Sequence, residues 1–235
     1  TNFDNVRNAV RGIDGVFHLA AILPPGSERN RERTMRVNVG GTKNLLESVK
    51  EEKRDAPIIL PSSVSIYGVT ADEIPPIRED HPVVATDTYS ESKIKCEELV
   101  KAQHEHHTIL RISGISYVAF MELPDVLQFR ADQRIEFIES GDVVTALTAS
   151  LERSEERKVF NIAGGKTWQL RGKEYVEKIC EAMDIPSSEA NYPKEYGFFD
   201  WYDTSGSQAT LDYQHTTFEN FINKTKALVE EEMEE

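Results

Sequence analysis

The chain has 235 residues and a mass of 26.6 kDa, enough to bury one substantial core, or one core with a small lobe. Its 27 Lys and Arg against 41 Asp and Glu give a net charge of −14, which argues against a general nucleic-acid or anionic-membrane surface. No apolar run approaches the ~18 residues of a membrane span, so the composition reads as a soluble, cytoplasmic α/β domain.

In chain order, helix and strand alternate as a parallel sheet requires. A helix near Asn5–Arg11 precedes a strand at Gly15–Leu19, and a long helix spans Arg31–Glu51. A strand at Pro57–Leu60 opens into the small-hydroxyl run Ser62-Ser63-Val64-Ser65, which suits a site at the carboxyl end of a buried parallel strand. A helix at Thr88–His104 and a strand at Thr108–Ile112 follow. Residues 113–134 read as loop, Ile135–Ile138 as strand leading into a helix from Gly141, and Lys158–Ile162 as another short strand. Helices at Arg171–Met183 and from Phe218 complete the chain. The charged stretch from Gly26 to Arg33 reads as a loop or helix start over the site.

Tyr89 and Lys93 lie four apart on a predicted helix, so both side chains share one face, ~5–6 Å apart at Cβ. A phenol near pKa ~10 is a poor base at neutral pH, and an ammonium within ~4–6 Å is expected to lower that value by ~1–3 units. Ser63 can donate a hydrogen bond to the same substrate oxygen. The three together can move a proton on and off a carbinol while a hydride leaves its carbon. A bare Y-x-x-x-K match is weak, because it equally describes an exposed aromatic beside a lysine on a solvated helix. Its context carries the weight.

The segments D-G-V-F-H-L-A-A, N-V-G-G-T, S-S-V-S-I-Y-G and Y-S-E-S-K occur in one order, followed by Leu110-Arg111-Ile112, Phe137 to Val143 and Val159 to Gly165. In this the chain resembles the extended short-chain dehydrogenase/reductases, the group of NAD-dependent epimerases and dehydratases. The resemblance covers nearly the whole chain. It implies a Rossmann-like, doubly wound parallel sheet (residues 1–165, with 113–134 as a substrate-side loop) and a small C-terminal substrate lobe (166–235). It also implies catalytic roles for Ser63, Tyr89 and Lys93, and an NAD or NADP cofactor held by Leu19, Ala20, Ala21, Asn38, Ser62, Tyr89, Lys93, Ile112, Ser113 and Gly114. Ser65 and Tyr89 would face the substrate, a sugar or another alcohol or carbonyl compound. Pairing of two copies through the helices at Arg31–Glu51 and Thr88–His104 is a family habit that these residues neither support nor oppose.

Two departures from the family pattern matter. The glycine-rich phosphate loop and the residue that reads the adenosine ribose belong to a first βαβ unit that this sequence lacks, which leaves NAD and NADP undistinguished. In the strand order 3-2-1-4-5-6, losing strand 1 exposes Val16-Phe17-His18-Leu19 as an apolar edge. The chain is therefore expected to be a truncated or partly recorded form of a longer protein, or to be covered by another chain. Second, nucleotide-sugar enzymes of the family usually carry an asparagine and a Y-G-P turn after the arginine matched by Arg111. Here Ile112-Ser113-Gly114-Ile115-Ser116-Tyr117 has neither, which weighs against a nucleotide sugar without excluding it. The alternatives to an enzyme are a non-catalytic dinucleotide-binding sensor or scaffold, and an inactive fragment.

Other features have plainer readings. Gly164-Gly165 has no third glycine at fingerprint distance and fits a turn before a helix. Cys96 and Cys180 read as small buried hydrophobes rather than a disulfide. His104, His106 and His107 read as cations at a helix end rather than metal ligands, so no metal is expected. The aromatic run from Tyr196 to Tyr202 serves either as a pocket wall or as core. The acidic tail Glu230–Glu235 reads as a solvated helix end.

Overall fold

A computed structural model describes residues 2–52, 55–119, 122–153 and 157–234. It divides into two compact units, one of residues 1–68, 80–112 and 146–160, the other of 69–79, 113–145 and 161–235. Each unit is assembled from three stretches of chain rather than divided by a single break after 165, because 69–79 and 113–145 fold with the C-terminal stretch.

The first unit holds α1 (Phe3–Ala9), β1 (Val16–Phe17), α2 (Gly26–Arg29), α3 (Arg31–Glu51), β2 (Ile58–Ser63), a 3-10 turn (Val64–Tyr67), α4 (Thr88–Gln103) and β3 (His107–Ile112). Its sheet has the order β1-β2-β3-β6, where β6 is Lys158–Ile162, and β2 pairs in parallel with both β1 and β3. A strand buried within a parallel sheet needs apolar side chains on its packed face. Accordingly Ile58, Leu60 and Ile109 pack with Leu45, Leu46 and Val49 of α3 and with Cys96 and Val100 of α4. At the end of the sheet β1 leaves Phe17 38% and Leu19 63% exposed. It is shorter than the expected Gly15–Leu19, because the Leu19 N–H turns back to the Phe17 carbonyl.

A proline in an inner strand normally removes a ladder hydrogen bond. In β2 the even residues face β3, as the Ile58 N–H to His106 carbonyl bond shows, and the odd residues face β1. Since β1 pairs only as far as Ile59, Pro61 costs the ladder nothing. Its carbonyl, on the same vacated side, is left for a side chain.

The second unit carries a three-stranded sheet of β4 (Gly114–Ser116), β5 (Arg134–Glu139) and β7 (Gln169–Arg171), with β4 parallel and β7 antiparallel to β5. The helix α5 (Ser140–Glu152) follows β5 and passes from this unit into the first after Thr145, and α6 (Gly172–Met183), α7 (Ser205–Leu211) and α8 (Phe218–Glu234) complete the second unit. Val176, Ile179, Cys180 and Met183 recur at helical spacing and form the buried stripe of α6. β4 lies inside the expected 113–134 loop, of which residues 120–121 lie outside the described residues. The acidic tail runs as helix to Glu234, and Glu235 lies outside the described residues. Among the described residues no helix is long and apolar enough to cross a membrane.

Candidate active site

Two carboxylates fix the start of α4. Asp87 Oδ1 accepts the Ser90 N–H at 2.7 Å while Ser90 Oγ accepts the Asp87 N–H at 3.1 Å, a reciprocal cap. Glu28, from α2, accepts the N–H groups of Thr88 (2.9 Å) and Tyr89 (3.1 Å) and the Ser27 hydroxyl (2.7 Å). Burial alone would raise the Glu28 pKa, but these hydrogen bonds win and hold it below the usual carboxylate range. Arg31 adds a two-point contact to Glu91, so the 22–31 segment is strapped across the helix start. Four backbone N–H groups at a helix start need partners, and negative charge is favoured there.

One turn on, Lys93 is 6% exposed and lies over the Tyr89 ring, 5.7 Å from its centroid. Its ammonium donates to the Pro61 carbonyl at 2.7 Å, the acceptor that β1 leaves free. This bond ties α4 to the strand end that carries Ser62 and Ser63. Burial lowers the Lys93 pKa, against the raising influence of Cys96 and Glu97. Tyr89 does not follow the expected downward shift. Burial, then the charge of Asp87, push its phenol up to about 12. The ammonium sits over the ring, 5.7 Å from its centroid, with no hydrogen bond to the Tyr89 hydroxyl, so desolvation of the phenolate prevails.

Ser63 Oγ accepts the Ser65 N–H at 3.1 Å, capping the 3-10 turn, so its own hydrogen is free to be donated. Ser63 pairs in register with Ile112 at the end of β3. The hydroxyls of Ser62 and Ser65 are buried without a hydrogen-bond partner among the described residues. The turn is braced at Tyr67, whose hydroxyl accepts from Arg111 at 2.9 Å. Arg111 also grips Glu97 through Nε (3.1 Å) and Nη2 (2.8 Å), and both side chains are 4% exposed.

Asn38, on α3, places the segment after β1. Its Oδ1 accepts the Ile22 N–H at 2.7 Å, and its Nδ2 donates to the Ile22 carbonyl (3.2 Å) and to Ser92 Oγ (2.9 Å). Leu19 and Ala20 are exposed and Ala21 half-buried just before this anchor. His18, which sequence reasoning did not single out, bonds Thr42 Oγ1 at 2.9 Å. Burial, with the Lys93 charge, pushes it down to about 4, so it is a neutral imidazole at pH 7. A polar ring ending an apolar strand within D-G-V-F-H-L-A-A was the signal available for it. Ser113 and Gly114 fall in the second unit. There the Ser113 N–H bonds the Ile162 carbonyl (2.9 Å), its hydroxyl is buried without a partner among the described residues, and a Cβ at Gly114 would lie 2.5 Å from the Phe137 ring.

The remaining features have structural employment. His104 bonds the Ala56 carbonyl and His107 the His104 carbonyl, while His106 faces Asp55. Both cysteines are buried free thiols. The aromatic run divides. Phe199 and Tyr202 are buried, while Trp201 and one side of Tyr202 line a cavity of about 840 Å³ with Pro75, Lys166 and Gln214.

A model of the NAD-dependent epimerase/dehydratase family matches residues 1–123. Among curated proteins, the chain is 32% identical over 122 residues to the 3-beta-hydroxysteroid dehydrogenase of Mycolicibacterium neoaurum, which covers 48% of this chain and 32% of that protein. It is 24% identical over 201 residues to the GDP-6-deoxy-D-mannose reductase of Pseudomonas aeruginosa, covering 73% of this chain and 64% of that one. The chain therefore spans less than two thirds of the length of these relatives. Among solved structures, RMD from Pseudomonas aeruginosa complexed with NADPH superposes with a TM-score of 0.81 at 18% identity, over 98% of this chain and 86% of that one. DesIV, a dTDP-glucose 4,6-dehydratase from Streptomyces venezuelae with NAD and TYD bound, gives 0.83 at 17% identity, over 98% and 77%. Both have the same fold as this chain.

Proposed function

The chain belongs to the NAD-dependent epimerase/dehydratase family, and from that premise we propose that it is an NAD(P)-dependent oxidoreductase, epimerase or dehydratase acting on a small alcohol or carbonyl compound. In this reading Tyr89 exchanges the proton, Lys93 is its electrostatic partner and Ser63 hydrogen-bonds the reacting oxygen. The observation that carries it is the Lys93 ammonium beneath Tyr89, anchored at 2.7 Å to the strand end bearing Ser63.

The residues of the first unit fit a dinucleotide. Leu19 and Ala20 are exposed and Ala21 half-buried with a small side chain, Asn38 fixes the backbone just after them, and the buried Ser62 hydroxyl lacks a partner among the described residues. Bound there, the cofactor supplies the hydride donor or acceptor. In carbonyl reduction the neutral Tyr89 phenol gives its proton to the substrate oxygen while Ser63 donates a hydrogen bond to it. The nearby ammonium of Lys93 opposes the charge left on the tyrosinate. In alcohol oxidation Tyr89 must first lose its proton, against a pKa of about 12. The same reading puts the enzyme in the cytoplasm, as a homodimer through α3 and α4 that a size measurement would test.

Tyr89→Phe tests the proton-transfer role. General acid–base groups contribute roughly 10²–10⁴-fold, so turnover of a carbonyl panel with NADH or NADPH should fall by about that factor while cofactor affinity stays near wild type. Unchanged turnover would refute the assignment.

A further inference from the structure

The second unit contains an apolar cavity of about 360 Å³, within the range of ligand pockets. Leu123, Leu127, Phe137, Tyr175, Ile179 and Met183 contribute to its walls. Phe137 stands edge-on to both Tyr175 and Phe199, with ring centroids 5.0 and 4.8 Å away. Glycine at 114 lets the backbone close one side against the Phe137 ring, where a Cβ would meet ring carbons at 2.5 Å.

Charge and hydrogen bonding narrow the occupant. Among the described residues lining the cavity, the one charged side chain is Glu122, an acid. No lysine or arginine among those residues is placed to meet a pyrophosphate, and burying a phosphate against apolar walls without a counter-charge is strongly unfavourable. Two uncharged polar side chains also line it among the described residues, Gln128 and Tyr175. Tyr175 OH and Ser116 Oγ are 3.0 Å apart, and either can donate. Two hydroxyls joined by one mutual bond keep one hydrogen unspent. Burial raises Tyr175 to about 12, so it stays a neutral phenol at physiological pH.

We propose that this cavity binds an uncharged, ring-bearing apolar molecule carrying an oxygen acceptor, and that it rejects nucleoside diphosphates. The apolar walls hold the ring body, and the Tyr175 hydroxyl, with Ser116 donating the bond between the two, gives its own hydrogen to the oxygen. The ligand class rests on the cavity alone.

The test is equilibrium binding by the 235-residue chain of 2-naphthol, with naphthalene and UDP-glucose as comparisons and no turnover readout. Failure of the catalytic reading, seen with Tyr89→Phe, therefore leaves this result untouched. The expected result is saturable one-to-one binding of 2-naphthol that UDP-glucose does not displace. Tyr175→Phe should bring 2-naphthol down to the affinity of naphthalene. Ile115 lines the cavity at 49% exposure, so Ile115→Arg should keep the wild-type circular dichroism and weaken binding at least about tenfold, as judged for a charge placed against an apolar ligand. Leu123→Glu, at a half-buried wall position, is the second variant should the first lose its fold. Absence of saturable binding, displacement by UDP-glucose, or wild-type affinity in a folded charge variant overturns the proposal.

Discussion

Replacing Arg111 with Met tests what holds the candidate site in place. Arg111 donates to Glu97 through Nε and Nη2 and to Tyr67 through Nη1, and lies over the Tyr67 ring at 5.1 Å. Removing it strands a carboxylate whose side chain is 4% exposed. Breaking a buried pair in this way costs ~3–5 kcal/mol. Lys101, 2.8 Å from Glu97 and 40% exposed, remains to absorb part of the charge, which points to the lower end, about 3 kcal/mol. At roughly 2–4 °C per kcal/mol for a chain of this size, the melting temperature should fall by about 6–12 °C, read by circular dichroism or calorimetry. A double variant, Arg111→Met with Glu97→Leu, should recover most of that loss, since apolar replacement of a whole buried pair is often neutral. The pH dependence has a definite sign. Burial would raise the Glu97 pKa, but Arg111 and Lys101 together hold it below the usual range. The pair's contribution is thus present above the unfolded carboxylate value and lost as pH falls through the folded one. In Arg111→Met the stranded carboxyl protonates readily in mild acid, so the gap between wild type and variant narrows as pH falls. A loss below about 1 kcal/mol, or a double variant as unstable as the single one, would refute the reasoning.

Three further outcomes follow from the same geometry. With Tyr89 near 12, alcohol oxidation should accelerate as pH rises across the alkaline range while carbonyl reduction stays nearly flat around neutrality; equal profiles in both directions would contradict the proton role. Glu28→Ala removes a carboxylate from two backbone N–H groups beside Tyr89 and should cost about 1 kcal/mol of stability and lower kcat more than it raises KM, whereas a change in KM alone would mean the strap does not position Tyr89. Buried Glu136 accepts from Gly165, Gln169 and Tyr202, yet burial pushes it up to about 7. Because the folded state then holds a proton the unfolded one has released, stability should decline as pH rises from about 4.5 through about 7, and a chemical-denaturation series that rises over that window would disprove it.

Much of the fold was legible in the sequence because its signals are local. The run ending Ile59-Leu60-Pro61-Ser62-Ser63 announces a buried strand with a site at its end, and α3 and α4 lie within a residue of their expected bounds. Elements of three to seven residues (β4, β7 and α7) escaped, since they are too short for periodicity to register and exist by virtue of partners far along the chain. The discontinuous second unit escaped for the same reason.

The sequence by itself determined that Tyr89 and Lys93 share a helix face, because helical spacing needs only four residues to express itself. It likewise determined that Ser63 ends an apolar strand. Tertiary structure decided where the lysine's proton goes, through a carbonyl left open when β1 stops two residues short of Pro61. It also set the clasp of Arg111 on Glu97 and Tyr67, and the direction of the Tyr89 shift, which local charge alone gets wrong. The physical reason is that a pKa depends on how much water is removed from the group, and the removal is done by segments distant in the chain.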